Sequence, residues 1–300
     1  MPEWIRFAAD LESVRLSQER ILDLGCGSGE LTLSALLPAV QPNGSVVGFD
    51  ASPDLLAKAR TNAASSPLSN EATVPVTWIE GDGHDLEKSG EKEAFDAVFS
   101  NAALHWMKRD PAQVVRGVYG LLKPGGRFVG EVCGEESRTL SRERDQKLMP
   151  GTETKQMGGA MNMIGVRSVL HTVLGEYGVD AAAVDPWFFP TPAQYSAILQ
   201  AAGFGVESCG TGQRALSRVR ANTDSQLALT ELIPRPTPLP ESGLAGWLDT
   251  FAFAFLDALP ATVDREQVKA EVCRRLEVDM KHGEQWTTMY VRLRFKARKE

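Results

Sequence analysis

Apolar and polar positions along the first third of the chain form short apolar runs, separated by stretches with helical periodicity. Each run is long enough for one buried strand and ends in polar or glycine-rich sequence. The runs lie at residues 21–24, 45–50, 76–80 and 95–100. Strands that alternate with helices in this way predict a parallel, doubly wound sheet.

Helix signals fill the intervals between these runs. Residues 31–40 have helical character, and Pro53 lies at the favoured first turn of the next helix, with Ser52 as its N-cap. Apolar residues then recur at helical spacing over 114–122. A Lys-Pro-Gly-Gly turn leads from this helix into a fifth strand at 127–132.

The second half of the chain has a different pattern, with more helix. We expect helices over 161–177 and 192–202, the second ended by Gly203, and then a strand over 204–209. Over 290–295, basic or aromatic residues alternate with apolar ones, which predicts a half-buried final strand.

The most informative segment is the glycine turn after the first strand. Gly25, Gly27 and Gly29 let the backbone turn sharply and approach a ligand, and the amides of the following helix start point at that ligand. A dinucleotide-binding turn would have its third glycine at the position of Glu30, which argues against phosphate binding and against a nicotinamide oxidoreductase. Asp23, just before the turn, favours a cationic ligand. S-adenosylmethionine fits, because it has a sulfonium and an ammonium group and no phosphate.

Acidic residues also end the next two predicted strands. Asp50 follows the glycine turn by roughly 20 residues, the position at which a carboxylate holds ribose hydroxyls in nucleoside-binding folds. Asp82 is placed to accept a hydrogen bond from the adenine amine. Both lie at carboxyl ends of strands, where open α/β sheets bind ligands.

Four motifs occur together in one order: LDLGCGSG, VVGFDASP, FDAVFSNAALHW and LLKPGGRF. On these motifs, residues 20–133 resemble the class I S-adenosylmethionine-dependent methyltransferases. The NAALHW segment and the tail WTTMYVRLRFKA are similar to the group that includes trans-aconitate methyltransferases and the malonyl-carrier O-methyltransferases of biotin synthesis.

The resemblance implies the fold class and the cofactor. The fold would be a Rossmann-like, doubly wound, mostly parallel seven-stranded sheet with a mostly helical cap, and S-adenosylmethionine would be converted to S-adenosylhomocysteine. The cofactor-binding residues implied are Asp23, Gly25, Cys26, Gly27, Gly29, Asp50, Ala51, Asp82, Gly83, Asn101 and Ala102.

We divide the chain into three parts. Residues 1–19 form a short N-terminal helical segment, residues 20–133 the cofactor-binding core, and residues 134–300 the cap with the last strands of the sheet. Two polar insertions, 135–156 and 211–226, are expected to be exposed loops or disordered. Similar enzymes have a longer N-terminal helical segment that closes over the cofactor, so the short start brings closure into question.

Four residues are candidates for the acceptor side. His105 has the pKa range of a general base, which a hydroxyl acceptor needs and a carboxylate does not. The alternative is that His105 and Trp106 pack at the strand end and shape the pocket. Arg167 is the candidate for binding an anionic group, with a surface arginine as the alternative, and Glu131 is a possible polar wall.

Composition narrows the classes of function further. The net charge of −7 argues against a nucleic-acid partner. The sequence has neither a signal peptide pattern nor an apolar run of membrane-spanning length, so we expect a cytoplasmic protein with a small-molecule acceptor and no membrane partner. Its four cysteines lie far apart and predict no metal site, and the oligomeric state is not indicated.

The alternative function is a protein of the same fold that binds the cofactor without methylating, as a scaffold or a cyclase.

Overall fold

The structure, a computed structural model, describes residues 18–66, 76–131, 162–210 and 234–300. Both predicted insertions, 135–156 and 211–226, lie outside the described residues, as does the N-terminal segment except Gln18 and Glu19. Within the described part, strands and helices alternate in the predicted order from the first strand to the fifth.

The strands of the described residues have the following bounds. They are β1 (Arg20–Leu24), β2 (Ser45–Asp50), β3 (Thr77–Glu80), β4 (Phe95–Asn101), β5 (Leu122–Glu131), β6 (Phe204–Gly210), β7 (Pro234–Pro238), β8 (Lys281–His282), β9 (Gln285–Val291) and β10 (Arg294–Lys299).

The helices lie between these strands and in the cap. They are α1 (a π-helical turn, Thr32–Leu36, continued by an α-helix, Leu37–Val40), α2 (Pro53–Ala64), α3 (Pro111–Leu121), α4 (Ile164–Glu176), α5 (Ala181–Val184), α6 (Pro192–Ala201), α7 (Gly243–Phe251), α8 (Phe253–Asp257) and α9 (Arg265–Met280). Two 3-10 helices, Gly83–Ser89 and Leu104–Trp106, follow β3 and β4. In the four described stretches, no helix combines the length and apolar character needed to cross a membrane.

Seven strands form one sheet in the order β3-β2-β1-β4-β5-β10-β6. β1 pairs in parallel with β2 and β4, and parallel pairing continues to β3 on one side and β5 on the other. β10 runs antiparallel to both β5 and β6. The predicted Rossmann-like, mostly parallel seven-stranded sheet is therefore confirmed, and the carboxyl ends of β1 to β4 lie along one edge.

The predicted final strand is wrong in one respect, because it is two strands in two sheets. β9 ends at Val291 and β10 begins at Arg294. β9 pairs with β7 and β8 in a small antiparallel sheet, whereas Leu293 and Phe295 are fully buried in the core of the large sheet. The cap therefore contains a three-stranded sheet in addition to its helices.

Helices cover both faces of the large sheet. On one face, Val118 of α3 and Leu199 of α6 pack in a cluster with Phe128 of β5. On the other face, Leu36 of α1 packs in a cluster with Val46 of β2. These side chains are all buried, which removes the apolar surface of the sheet from water on both sides.

The cap has an apolar core of its own. Leu170 of α4, Leu248 of α7 and Val272 of α9 are each fully buried in it. Trp106, just after β4, packs against this cluster. The cap core therefore reaches the carboxyl edge of the large sheet.

The starts of the first two helices differ in how well the sequence predicts them. Ser52 caps α2 as predicted, because its side chain accepts a hydrogen bond from the Leu55 amide at 3.3 Å. The predicted helix at 31–40 is present but begins with a wider turn, in which the Leu37 amide donates to the Thr32 carbonyl. Pro38 accounts for this turn, because it has no amide hydrogen and its ring crowds the carbonyl four residues earlier.

We expect Gly130→Ala to lower the free energy of unfolding by about 1–3 kcal/mol. A Cβ at this position of β5 would lie 2.1 Å from Cε1 of Phe295, a side chain with no exposed surface. Chemical denaturation of the purified protein measures the change. The matched control is Gly120→Ala in α3, where a Cβ meets nothing within 4 Å, and which should raise stability by about 0.5–1 kcal/mol. Equal effects of the two substitutions would contradict this packing.

Candidate functional site

The glycine turn after β1 is hydrogen-bonded to the end of β2. The amides of Gly25 and Cys26 both donate to the Phe49 carbonyl, at 2.7 and 3.1 Å. The Gly27 amide donates to Oδ2 of Asp50 at 2.8 Å. The structure thus brings the predicted loop residues and the predicted ribose carboxylate into direct contact.

The three glycines of this turn have different surroundings. Gly25 has a φ of +76°, and a Cβ there would lie 2.0 Å from Cβ of Ala103, so only glycine fits. Gly27 has a φ of +56°, but a Cβ there would meet nothing within 4 Å. Gly29 is buried and closes the turn, with its amide donating to the Cys26 carbonyl at 3.0 Å. The turn therefore packs tightly at Gly25 and faces open space at Gly27.

Asp23 lies beneath the turn and is 3% exposed. The Thr32 hydroxyl, in the π-helical turn of α1, donates to its carboxylate at 2.5 Å. Burial raises the pKa of Asp23 to about 7, an effect that the Thr32 hydrogen bond opposes and the nearby Asp50 charge reinforces. A cation bound close to this carboxylate would favour its ionised form.

Asp50 uses both carboxylate oxygens to hold backbone. Oδ2 accepts from Gly27, and Oδ1 accepts from the Ser52 amide at 2.9 Å. Each ionised carboxylate oxygen can accept more than one hydrogen bond, so the group retains capacity for a ligand hydroxyl. Ala51, the next predicted residue, is exposed beside it.

Asp82 and Gly83 follow β3 at the same edge. Asp82 accepts from the His84 amide at 2.9 Å, contacts Nδ1 of His84 at 2.7 Å, and pairs with Arg109 at 3.0 Å. Partial burial alone would raise the pKa of Asp82, but the His84 and Arg109 contacts outweigh it and lower the pKa to about 2. A Cβ on Gly83 would lie 2.8 Å from the Met107 sulfur, so the segment after β4 covers this position.

The end of β4 has an unusual backbone conformation at Ala102. This residue has a φ of +58°, which L-residues other than asparagine and aspartate rarely adopt, and it is 7% exposed. Asn101, just before it, pairs in register with Glu131 of β5. Ala102 makes the reversal that carries the chain away from the sheet edge. The Glu131 side chain lies outside the described part, so its predicted role as a polar wall stays a prediction.

His105 lies in the 3-10 turn after β4 and is 6% exposed. Its ring contacts those of Trp106 and Phe189, with centroids 5.3 and 5.7 Å apart. Burial lowers the pKa of His105 to about 3. A neutral ring with this pKa is a weak base at neutral pH, which favours the packing interpretation of His105 over the general-base interpretation.

Trp106 belongs to a group of aromatic rings between the sheet edge and the cap. Its ring stacks on Phe253 with a centroid distance of 6.1 Å and an interplanar angle of 15°, and meets Trp187 edge-on at 6.1 Å. Trp187 in turn stacks on Phe189 at 5.8 Å. Phe253 is 49% exposed, so this group includes solvent-accessible apolar surface.

Arg167 is paired rather than freely exposed. Its Nε and Nη2 atoms donate to Oδ2 of Asp185 at 3.0 and 2.5 Å, and Asp185 is 4% exposed. His171, one turn along α4 as the sequence predicted, lies 3.4 Å from the same oxygen. The guanidinium also lies over the ring of Phe189, 5.1 Å from its centroid. Arg167 therefore has a fixed position beside the aromatic group.

Three residues of this region are absent from the sequence prediction: Thr32, Asp185 and Phe253. The Asp-Pro-Trp sequence at Asp185 offers only a turn signal, and Thr32 lies in an ordinary helical pattern. Phe253 lies between Phe251 and Phe255, and the helical spacing of these two residues with Trp247 indicates core packing rather than a binding surface. Each contact depends on tertiary structure.

The residues at the sheet edge fit S-adenosylmethionine. Gly27 faces open space, and the carboxylates of Asp50 and Asp82 lie at the ends of adjacent strands. Asp23 supplies a buried acidic group of the sign that a sulfonium and an ammonium group require. Position 30, where a dinucleotide-binding turn has its third glycine, is occupied by the acidic Glu30. The turn is therefore unsuited to phosphate.

A family model described as a methyltransferase domain matches residues 16–179, which is more than half of the chain. An uncharacterised methyltransferase of Schizosaccharomyces pombe is 33% identical over 291 residues, covering 95% of this chain and 88% of that protein. Trans-aconitate 2-methyltransferase of Methylobacterium radiotolerans is 27% identical over 260 residues, covering 87% of this chain and 85% of that enzyme.

Solved structures agree on the fold. The crystal structure of a proposed methyltransferase from Bacillus halodurans aligns with a TM-score of 0.53 and 16% identity, over 99% of this chain and 97% of that one. The YcgJ protein of Bacillus subtilis aligns with a TM-score of 0.54 and 14% identity over the same shares. At these identities the likeness concerns the fold alone.

We expect Asp23→Asn to remove a pH dependence of stability in the cofactor-free protein. The pKa of Asp23 is about 7 when folded and near 3.8 when unfolded, so the folded state holds an extra proton between these values and loses stability as pH rises. Unfolding free energies of both proteins, measured by denaturation from pH 4 to 8, should diverge by up to about 4 kcal/mol in favour of the variant at high pH. Parallel pH profiles would show that Asp23 is not held protonated.

Proposed function

Since the chain belongs to the class I S-adenosylmethionine-dependent methyltransferases, we propose that it methylates an oxygen atom of a small-molecule acceptor, most simply a carboxylate. The observation that carries the choice of a carboxylate is the burial of His105, the predicted base, which is 6% exposed and whose pKa this burial lowers. A carboxylate is already ionised at neutral pH and needs no base, whereas a hydroxyl does.

The cofactor residues we propose are those along the sheet edge. Asp50 would hold the ribose hydroxyls and Asp82 the adenine amine, while the turn from Gly25 to Gly29 would lie against the amino-acid part. Asn101 and Ala102 would contribute backbone contacts from the end of β4. When bound, S-adenosylmethionine supplies a methyl carbon activated by positive sulfur.

The remaining task of the protein is to align the acceptor and exclude water. As a carboxylate oxygen bonds to the methyl carbon, the carbon–sulfur bond breaks and its electron pair goes to sulfur, so no proton has to be removed. The ring of Trp106 and the buried ring of His105 would form a dry wall beside this reaction. Arg167 would attract and orient the anion.

Two further facts support a small acidic acceptor. The likeness to trans-aconitate 2-methyltransferase of Methylobacterium radiotolerans extends over most of both chains, and the substrate for which that enzyme is named is a carboxylic acid. The net charge of −7 disfavours a nucleic-acid acceptor.

The direct test is a methyl-transfer assay on the purified protein. Incubation with S-adenosylmethionine and a panel of small carboxylic acids, with mass spectrometry of the products, should give S-adenosylhomocysteine and a methyl ester in equal amounts. Corresponding alcohols should give none. Tight cofactor binding without product from any acid or alcohol would favour the alternative of a non-methylating protein.

Asp50→Ala should weaken binding of S-adenosylmethionine and of S-adenosylhomocysteine at least about tenfold, or about 1.4 kcal/mol. The substitution removes the proposed ribose contact and the hydrogen bond that fixes Gly27. Isothermal calorimetry measures both affinities. Asp54→Ala, which removes an exposed carboxylate in the first turn of α2, is the matched control and should leave affinity unchanged within about twofold. Unaltered affinity in Asp50→Ala would refute the proposed ribose site.

A further inference from the structure

The aromatic rings beyond β4 form a continuous strip that ends in a cation. Neighbouring members lie 5.1–6.1 Å apart in the order Phe253, Trp106, His105, Phe189 and the Arg167 guanidinium. Phe253 is half exposed, and Trp106 and Phe189 are partly exposed. We call these four rings the aromatic strip.

The middle of the strip, at Trp106 and His105, lies beside the cofactor-binding turn. The Trp106 amide donates to the Ala103 carbonyl at 2.9 Å, and Ala103 is the residue whose Cβ occupies the space next to Gly25. The Phe188 amide donates to the His105 carbonyl at 2.8 Å, which fixes the cap segment to the same turn. An acceptor lying on the strip is therefore adjacent to the methyl donor's proposed position.

The polar end of the strip has a small net charge. Arg167 pairs with the buried carboxylate of Asp185, and the Lys108 ammonium donates to the Asp185 backbone carbonyl at 2.6 Å. Among the described residues, and with His171 beside the same carboxylate counted as neutral, two cations and one carboxylate leave one net positive charge at this end. Nε and Nη2 of Arg167 face Asp185, and Nη1 is the nitrogen that the ion pair does not use.

These features match one class of acid better than others. Stacked and edge-on rings favour a flat unsaturated or aromatic group over a saturated chain. One net positive charge balances one carboxylate, whereas a tricarboxylate would bring two unbalanced negative charges against apolar rings, at a desolvation cost. The carboxylate of such an acid is also the group that is methylated, so it must reach both Arg167 and the methyl donor. The hydrogen bond from Phe188 to His105 supports this placement, because it holds the Arg167 end of the strip beside the turn after β4.

We propose that the aromatic strip is the acceptor subsite and that it selects a monocarboxylic acid with a flat, unsaturated or aromatic body over polycarboxylic acids. This inference rests on the proposed function, because it names the acceptor of the same site. It departs from trans-aconitate, the substrate for which the bacterial relative is named, which carries three carboxyl groups.

The test is equilibrium binding to the full-length protein saturated with S-adenosylhomocysteine, with tryptophan fluorescence and calorimetry as readouts. The probes are trans-cinnamate, its neutral amide and propane-1,2,3-tricarboxylate. Cinnamate should bind at least about fivefold more tightly than either of the others. Tighter binding of the tricarboxylate, or equal binding of all three, would overturn the proposal. Because no turnover is needed, failure of this selectivity is distinguishable from failure of methyl transfer.

Two variants separate the two ends of the strip. Phe253→Ala removes a half-exposed ring and should weaken cinnamate and its amide equally, by about two- to tenfold. Arg167→Met should abolish the preference for cinnamate over the amide while leaving amide binding unchanged. Met289→Ala removes an apolar side chain of similar exposure (43%) in β9 and is the matched control. Each variant is first shown to bind S-adenosylhomocysteine normally. Wild-type cinnamate affinity in Phe253→Ala would contradict the role of the strip.

Discussion

Gly25 is held between the ends of two strands, and the arrangement of the site depends on this constraint. Its amide donates to the Phe49 carbonyl at the end of β2, and on the other side Ala103, after β4, occupies the space that a Cβ would need. A larger residue would have to separate β1 from β4, because the clash is with a backbone-anchored methyl group rather than a flexible side chain. Once Gly25 is fixed, Gly27 lies within reach of the Asp50 carboxylate and faces open space. The close packing at Gly25 and the open space at Gly27 thus both follow from the way Gly25 is held between the strand ends.

The same close contact links the sheet to the cap. Ala102 adopts a left-handed conformation and reverses the chain, so that residues 104–109 run along the sheet edge. From this segment, Arg109 pairs with Asp82 on the cofactor side, while Lys108 donates to the Asp185 carbonyl on the cap side. One short segment therefore contacts both halves of the site.

The sequence predicted local features well, because their causes are local. Ser52 caps α2 through a hydrogen bond three residues away, Asp50 ends β2, and Asp82 follows the end of β3 by two residues. It predicted the last strand incorrectly, because the alternation from Tyr290 to Phe295 is unbroken where the chain passes from one sheet to another. Periodicity specifies which side chains share a face but not which sheet they face. The contact of Arg167 with Asp185 spans 18 residues and depends on how α4 packs, which no spacing rule contains.

The distribution of acidic and basic side chains in the site suits a reaction between a cationic methyl donor and an anionic acceptor. Carboxylates lie at the sheet edge, with Asp23 buried there, whereas Arg167 and Lys108 lie beside the aromatic strip that we propose as the acceptor subsite. Methyl transfer from a sulfonium to a carboxylate turns a positive and a negative reactant into neutral products. Charge therefore diminishes as the reaction proceeds, and a site of low dielectric constant opposes separated charges more than the partly neutralised transition state. The rings of the aromatic strip, of which His105 is buried and the other three are partly exposed, supply apolar surface of the kind that the proposed reaction requires. For a hydroxyl acceptor the same rings would hinder catalysis, because a proton would have to leave past the aromatic strip, in which the basic group is the weakly basic His105.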